Sequence, residues 1–356
     1  MKKFPQQTAI SLVLPKHTSL NILRYGMLTA PHSLCVTDLN HCLHLRNMEF
    51  PEYKFSGPVL FDISLYLKSG NMAAAVAAAS AMDIKEFPGI PEPGTVAAGT
   101  LPENLLSLVP AVHDDIDRAA LRRIAIRADR REAVATDGHM LFLRKLEKKP
   151  AKSFLVDVVS VKIAAVFADK SVSVTMKKQK KNEKGEDDYV TLRGDSWTLT
   201  YKVECFRYYP AYNLILCDRK QNILEWDSRH VDMLHDYIKR MRPFRGKTAR
   251  LYFSANTGYC RNKNLNFSDT TDFPLPVFPV SNNLISVNAD KLEKILKFIG
   301  DEKVGVTVGE TPLQQIQFDG KMRRALLMPL RVTGGTDSAK WIDKKEIDSE
   351  DVVNYA

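Results

Sequence analysis

Within DRAALRRIAIRADRREAVATDGHMLFL (residues 117–143), the segment from Ala120 to Leu143 reads as a β-hairpin. Its β-rich runs flank Asp137-Gly138, a dipeptide that supplies the positive φ angles of a tight type I′ turn. The block returns twice, as TSLNILRYGMLTAPHSLCVTDLNHCLHL (18–45) and FRGKTARLYFSANTGYCRNKNLNF (244–267). Thr37-Asp38 and Thr136-Asp137 lie 99 residues apart, and the third turn falls near Asn256. Solenoid units are only about 20–50 residues long. A longer period points to copies of one domain, and to a function that needs several similar domains rather than one catalytic cleft.

The bulk numbers agree with a chain of several domains. At 356 residues there is length for two or three ordinary cores. The hydrophobic share of 44% and charged share of 26% are those of a globular protein. The formal charge is +9, yet the stretch from Thr333 to Ala356 carries −3, leaving +12 on the body before it. Such an excess makes a polyanion a candidate partner, because each phosphate neutralised by Lys or Arg releases counterions. Five cysteines, with no C-x-x-C pair, argue against a disulfide framework or a zinc knuckle. His41, Cys42 and His44 are close in sequence, but strand neighbours point to opposite faces, which argues against a metal site there. No cofactor is implied. The N-terminus starts like a signal peptide but lacks its apolar core, and no stretch reaches the eighteen or so apolar residues of a membrane span. The expectation is a cytoplasmic protein with no membrane partner.

Punctuation divides the chain. EFPGIPEPGT (86–95) reads as a linker. Thr100, Pro102 and Glu103 form a helix-start signal, predicting a helix with Leu101, Leu105, Leu108 and Val112 on one stripe and Pro110 at its end. A shorter helix is expected near Ser160–Asp169, then a charged loop, KKQKKNEKGEDD (177–188), then paired strands over 189–204. FRYYPAYNLILC (206–217) closes that stretch. Helices follow at about Asp227–Met241 and at Asn288–Ile299, and RRALLMPLRV (323–332) is the last strand. Helices alternating with antiparallel hairpins predict α+β domains. The first block enters directly at its strands, without a helix ahead of it, and residues 46–85 are too few for a full second half.

ATDGHMLFL (135–143), preceded by the segment beginning TLPENLLSLV, resembles the middle domain of the β sliding clamp, the processivity subunit of bacterial DNA polymerase III. EFPGIP resembles the segment that ends a clamp's first domain, and FRYYPAYNLIL the one that ends its second. ISVNADKLEKILKFI, VGVTVGETPLQQIQFD and ALLMPLRV resemble the closing stretch of the third. The likeness runs in register nearly to Val332. It implies tandem clamp domains: a shortened first over 1–93, a second over 94–217, a third over 218–332, and a disordered polar tail over 333–356.

The family further implies a homodimeric ring around duplex DNA, sheets outside and helices inside, with no catalysis. Polymerase and clamp loader would bind through short peptides entering a pocket. By position the pocket would use Leu121, Thr136, Gly138, His139 and Leu141, with Met328, Pro329, Leu330 and Arg331 from the last strand. Met140 stands where the family usually has Arg, Cys217 where it has Pro, and the chain runs 24 residues past Val332. The DNA-facing candidates are Lys291, Lys294 and Lys297, then Lys239, Arg240 and Arg242. Two other readings compete. One is a non-ring regulator that keeps only the partner pocket. The other is an enzyme using Asp137 and His139 as an acid–base pair, though no nucleophile, metal cluster or phosphate loop accompanies them.

Overall fold

The computed structural model describes residues 5–14, 20–30, 32–48, 57–89, 91–114, 117–177, 188–203, 209–216, 223–241, 250–254, 259–263, 273–274, 284–300, 303–308 and 315–330. In chain order the elements begin with α1 (Pro5–Val13), β1 (Tyr25–Ala30), β2 (Ser33–Thr37), β3 (His41–Leu45), β4 (Val59–Asp62), α2 (Ile63–Ser69) and α3 (Met72–Ala78). Next come β5 (Val96–Thr100), β6 (Arg123–Arg127), β7 (Glu132–Thr136), β8 (Met140–Lys145), β9 (Phe154–Asp157), α4 (Val158–Phe167), β10 (Ser173–Lys177), β11 (Asp188–Arg193) and β12 (Trp197–Val203). The last group is β13 (Ile223–Trp226), α5 (Ser228–Met241), β14 (Arg250–Ser254), β15 (Tyr259–Lys263), β16 (Phe273–Pro274), β17 (Leu284–Asn288), α6 (Ala289–Ile299), β18 (Val304–Val308), β19 (Ile316–Asp319) and β20 (Arg323–Leu327).

These strands form an eight-stranded sheet in the order β4-β1-β2-β3-β12-β11-β10-β5, a second in the order β13-β18-β19-β20-β8-β7-β6-β9, and a four-stranded sheet β16-β15-β14-β17. The expected α+β architecture is what the chain adopts. Among the described residues, those within 1–109, 114–133 and 146–209 form one compact unit, and those within 110–113, 134–145 and 210–356 form another.

One local device recurs at the strand-to-helix junctions. A short strand ends on, or is followed at once by, an Asp or Asn whose side chain accepts the amide three residues on. Asp62 takes Leu65 N at 2.8 Å, Asp157 takes Ser160 N at 2.6 Å, Asp227 takes His230 N at 3.1 Å, and Asn288 takes Lys291 N at 3.0 Å. Each bond satisfies one of the orphan donors at a helix start and stabilises it by about 1 kcal/mol. The strands carry their apolar residues inward: Phe154, Leu155 and Val156 are all buried. The helices bury stripes, as with Val231, Leu234 and Ile238 of α5 and Leu292, Ile295, Leu296 and Ile299 of α6.

In the first unit α1 packs on α4 and β3, burying Ala9, Ile10 and Val13. The expectation of a first block without a leading helix is therefore corrected. PQQTAISLV has few apolar positions, and packing rather than helix propensity selects its conformation. Between α3 and β5, however, no strand occurs among the described residues. In the second unit α6 lies on β20, β8, β17 and α5. Phe298 stacks on Phe142 at 4.3 Å, while Arg323 closes the helix end by donating from Nη1 to the Phe298 and Ile299 carbonyls at 2.7 and 3.2 Å.

Two further expectations change. The helix predicted after Thr100 is instead a 3-10 segment, Leu105–Ala111, with Pro110 inside it, and Thr100 ends β5. Asn104 takes a positive φ of 59°, which breaks the chain away from an α-helical start. The buried residues Leu105, Leu108 and Ala111 then recur every three residues, the 3-10 period. The 117–143 block is a three-strand run, β6-β7-β8, rather than a lone hairpin. In the third block β14 and β15 pair as expected, Arg250 opposite Lys263. Asn256, the charged stretch 178–187, Cys217, Arg242 and everything from Arg331 onward lie outside the described residues.

Candidate partner-binding site

The Thr136–Met140 turn is built by its own side chains. Thr136 Oγ1 accepts Gly138 N at 3.1 Å and donates to the Met140 carbonyl at 2.7 Å. Asp137 Oδ1 accepts both His139 N and Met140 N at 2.8 Å. A type I′ turn needs two central residues at positive φ, and here Gly138 alone has it, at 87°. The expected tight turn is thus a three-residue loop, because the Asp137 carboxylate collects amides that a type I′ turn would pair across the strands. With those groups satisfied, Gly138 and His139 stand exposed while Thr136 is buried.

Two neighbours fix this turn in the second unit. Met328 N donates to the His139 carbonyl at 2.8 Å, and Leu330 N donates to the Ser286 carbonyl at 2.7 Å. Pro329, which has no N–H to satisfy, sits between these bonded amides. Met328, Pro329 and Leu330 are therefore held half-buried beside an exposed turn. Leu141, opposite Leu326 in the ladder, is a core residue at 1% exposure, and Met140 is buried beside it. Leu121 lies in a 3-10 turn of the first unit, half-buried. Arg331 is outside the described residues.

The second neighbour is electrostatic. Lys291 Nζ, from the first turn of α6, contacts Asp137 Oδ2. Burial opposes ionisation of Asp137. The Lys291 hydrogen bond and the Met140 and His139 amides outweigh it and hold the carboxyl below its usual range. A carboxylate so committed is a poor proton shuttle near neutral pH, which counts against an acid–base role with His139.

The other basic candidates differ in their surroundings. Lys294 is exposed and reaches the Pro110 carbonyl at 3.4 Å; Lys297 is exposed and pairs with Glu293 one turn back at 2.8 Å. Lys239 is exposed on α5, which also carries Arg240.

The Thr37-Asp38 turn of the first unit, expected from the repeat, carries a buried network that the repeat alone does not reveal. Leu39 N donates to Thr37 Oγ1 at 3.0 Å, and Asn40 N and His41 N donate to Asp38 Oδ1 at 2.9 and 2.6 Å. The pattern copies the three side-chain-to-amide bonds of the Thr136 turn. Here Leu39, at φ 74°, occupies the position of Gly138. His41 is buried, at 8% exposure, with Nδ1 3.0 Å from Asp38 and Nε2 2.6 Å from Asp157, which is 2% exposed; Arg123 Nη1 is 3.7 Å from Asp157. A ring with a carboxylate at each nitrogen donates from both and is therefore an imidazolium. Burial disfavours that charge, but Asp157 and then Asp38 outweigh it and push His41 up to about 10. Burial likewise opposes ionisation of Asp157, and His41, Arg123 and the Ser160 amide hold it well below the carboxylate range. Of the neighbours once weighed as a metal cluster, Cys42 instead touches Cys35 at 3.2 Å and His44 faces Thr29 at 3.4 Å. The sequence signal for this turn was the shared T-D-x-x spacing of the two turns, readable once both were aligned.

No protein-family model matches the chain, and no curated protein does. Solved structures do. The Caulobacter crescentus beta sliding clamp is 16% identical with a TM-score of 0.70, covering 92% of this chain and 97% of its own. A Pseudomonas aeruginosa DNA polymerase sliding clamp is 17% identical at 0.68, covering 92% and 98%. The Thermotoga maritima DNA polymerase III beta subunit is 15% identical at 0.69, covering 92% and 97%. At these identities the likeness establishes a sliding-clamp fold. Among the described residues no helix is long and apolar enough to cross a membrane.

Proposed function

We propose that this chain is a DNA sliding clamp: a non-catalytic, cytoplasmic, homodimeric ring that encircles duplex DNA without reading its sequence. In this reading polymerase and clamp loader dock through short peptides. One observation carries it: a clamp fold over 92% of the chain, with the exposed Gly138-His139 turn bonded directly, through Met328, to the segment that follows β20. A half-buried apolar strand end beside an exposed turn is a suitable seat for a peptide with apolar anchors. Thr136, Gly138, His139, Met328, Pro329 and Leu330 would form the seat in the second unit, over Leu141, with Arg331 as a further proposed contact. The +12 body favours the duplex through counterion release, and Lys239, Arg240, Arg242, Lys294 and Lys297 are the proposed DNA contacts.

Topology tests the ring. Once loaded, the protein should stay on closed circular duplex and leave promptly after a single cut. Equal retention on circular and linear DNA would end the clamp reading. A second reading, a non-ring regulator that keeps the partner seat, is favoured by the absence of strands between α3 and β5 among the described residues. Light scattering separates the two: a mass near twice 40.2 kDa supports the ring, and a strict monomer supports the regulator.

A further inference from the structure

Lys291 stands among the basic residues of α6 that the charge pattern offers to DNA, but its surroundings give it another task. We infer that Lys291 is a positioning residue of the partner seat, holding the Asp137 turn in the shape that a docking peptide meets. The inference rests on the proposed peptide-binding reading and assigns a residue to it.

Three observations support this role. Lys291 Nζ contacts Asp137 Oδ2, and the two side chains are only 25% and 13% exposed. Lys294 and Lys297, on the same helix, are exposed. The Asp137 carboxylate is also the acceptor that shapes the turn, through the amides of His139 and Met140. Finally, the His139 carbonyl at the end of that turn holds Met328. One chain of contacts thus runs from α6 through Lys291, Asp137 and His139 to Met328, just after β20.

The electrostatics agree. Lys291 lies in the first turn of α6, the positive end of the helix dipole, where a cation alone is disfavoured and a carboxylate is favoured. The Asp137 carboxylate supplies that complement. A lysine neutralised in this way has few counterions to release to a phosphate, so it contributes little to DNA affinity. Removing it leaves Asp137 half-buried and uncompensated, and frees the turn to shift relative to Met328.

The test uses the full chain and a peptide selected from a random heptapeptide library on the wild-type protein, retained only if Met328→Ala weakens it. Lys291→Met should weaken that peptide about tenfold by fluorescence anisotropy. It should leave the affinity for a short duplex, and its salt dependence, unchanged. Lys291→Arg should restore most of the peptide affinity, a rescue that generic destabilisation would not give. Asp137→Asn should weaken the peptide comparably, and the double variant should be no worse than either single one. It also serves as the test should Lys291→Met fail to fold. Unchanged peptide affinity in Lys291→Met, or a duplex salt slope reduced by about one, would overturn the inference while leaving the peptide seat intact. If the wild type selects no such peptide, the seat itself fails and the inference falls with it.

Discussion

The Thr37–His41 and Thr136–Met140 turns share every side-chain-to-amide bond but spend their aspartates differently. In the first unit Asp38 faces His41, which continues to Asp157, a buried carboxylate that also caps α4. The result is a line of alternating charges that starts at a partly exposed Asp38 and ends on the buried pair His41 and Asp157. In the second unit Asp137 faces Lys291, half-buried, at the rim of an exposed turn. The same local geometry serves as an internal fastening in one place and as a surface fitting in the other. What separates them is the residue that meets the carboxylate's free edge, and how much water reaches it.

Thermal melts of single variants should sharpen that contrast. Asp157→Ala should cost the most, about 3–5 kcal/mol, because it strands the His41 and Arg123 cations in the core and removes a helix cap. Next comes pH. The contribution of His41, whose pKa rises on folding, is complete below its unfolded value and is lost as pH climbs toward about 10. Asp157, whose pKa falls on folding, contributes above the ordinary carboxylate value and loses that only in acid. Stability should therefore decline from about pH 6.5 to 10, and His41→Gln should flatten the decline; an unchanged slope would remove the imidazolium.

Asp38→Ala and Asp137→Ala should each cost about 1–3 kcal/mol by denaturant titration, with Asp38 the larger because its partner is buried. Equal losses would mean the turns differ only in appearance. The smallest effects should have opposite signs. Leu39→Gly should stabilise by about 0.5–1 kcal/mol, since an exposed leucine at positive φ loses strain and little packing. Gly138→Ala should destabilise by about 1 kcal/mol.

Much of this was legible in the sequence, and what was not has physical causes. The helices at Asp227–Met241 and Asn288–Ile299 were found because their stripes have the 3.6-residue period over enough turns to outweigh chance. The Thr100 helix was misread because Leu105 and Leu108 fit that period as well as the tighter one that Pro110 and Asn104 impose. Short helix α1 has too weak a stripe to register. Within the candidate site the turn and last strand were recognisable as motifs. The partner of Asp137 was not, since Lys291 lies 154 residues away and only the fold brings them together.

The recurring strand, Asx cap and helix also carry a consequence about ancestry. From β5 onward the order strand, helical segment, three strands repeats four times, as β5–β8, β9–β12, β13–β16 and β17–β20. The duplicated unit is then half a domain, about the size of a single exchangeable cassette. Before β5 the chain holds α1 with β1–β3, then β4 with α2 and α3, and among the described residues the second cassette ends there. Its shortness corresponds to the absence, among the described residues, of one cassette's three trailing strands. Grafting a trailing set such as β18–β20 after α3 would be the natural way to rebuild it.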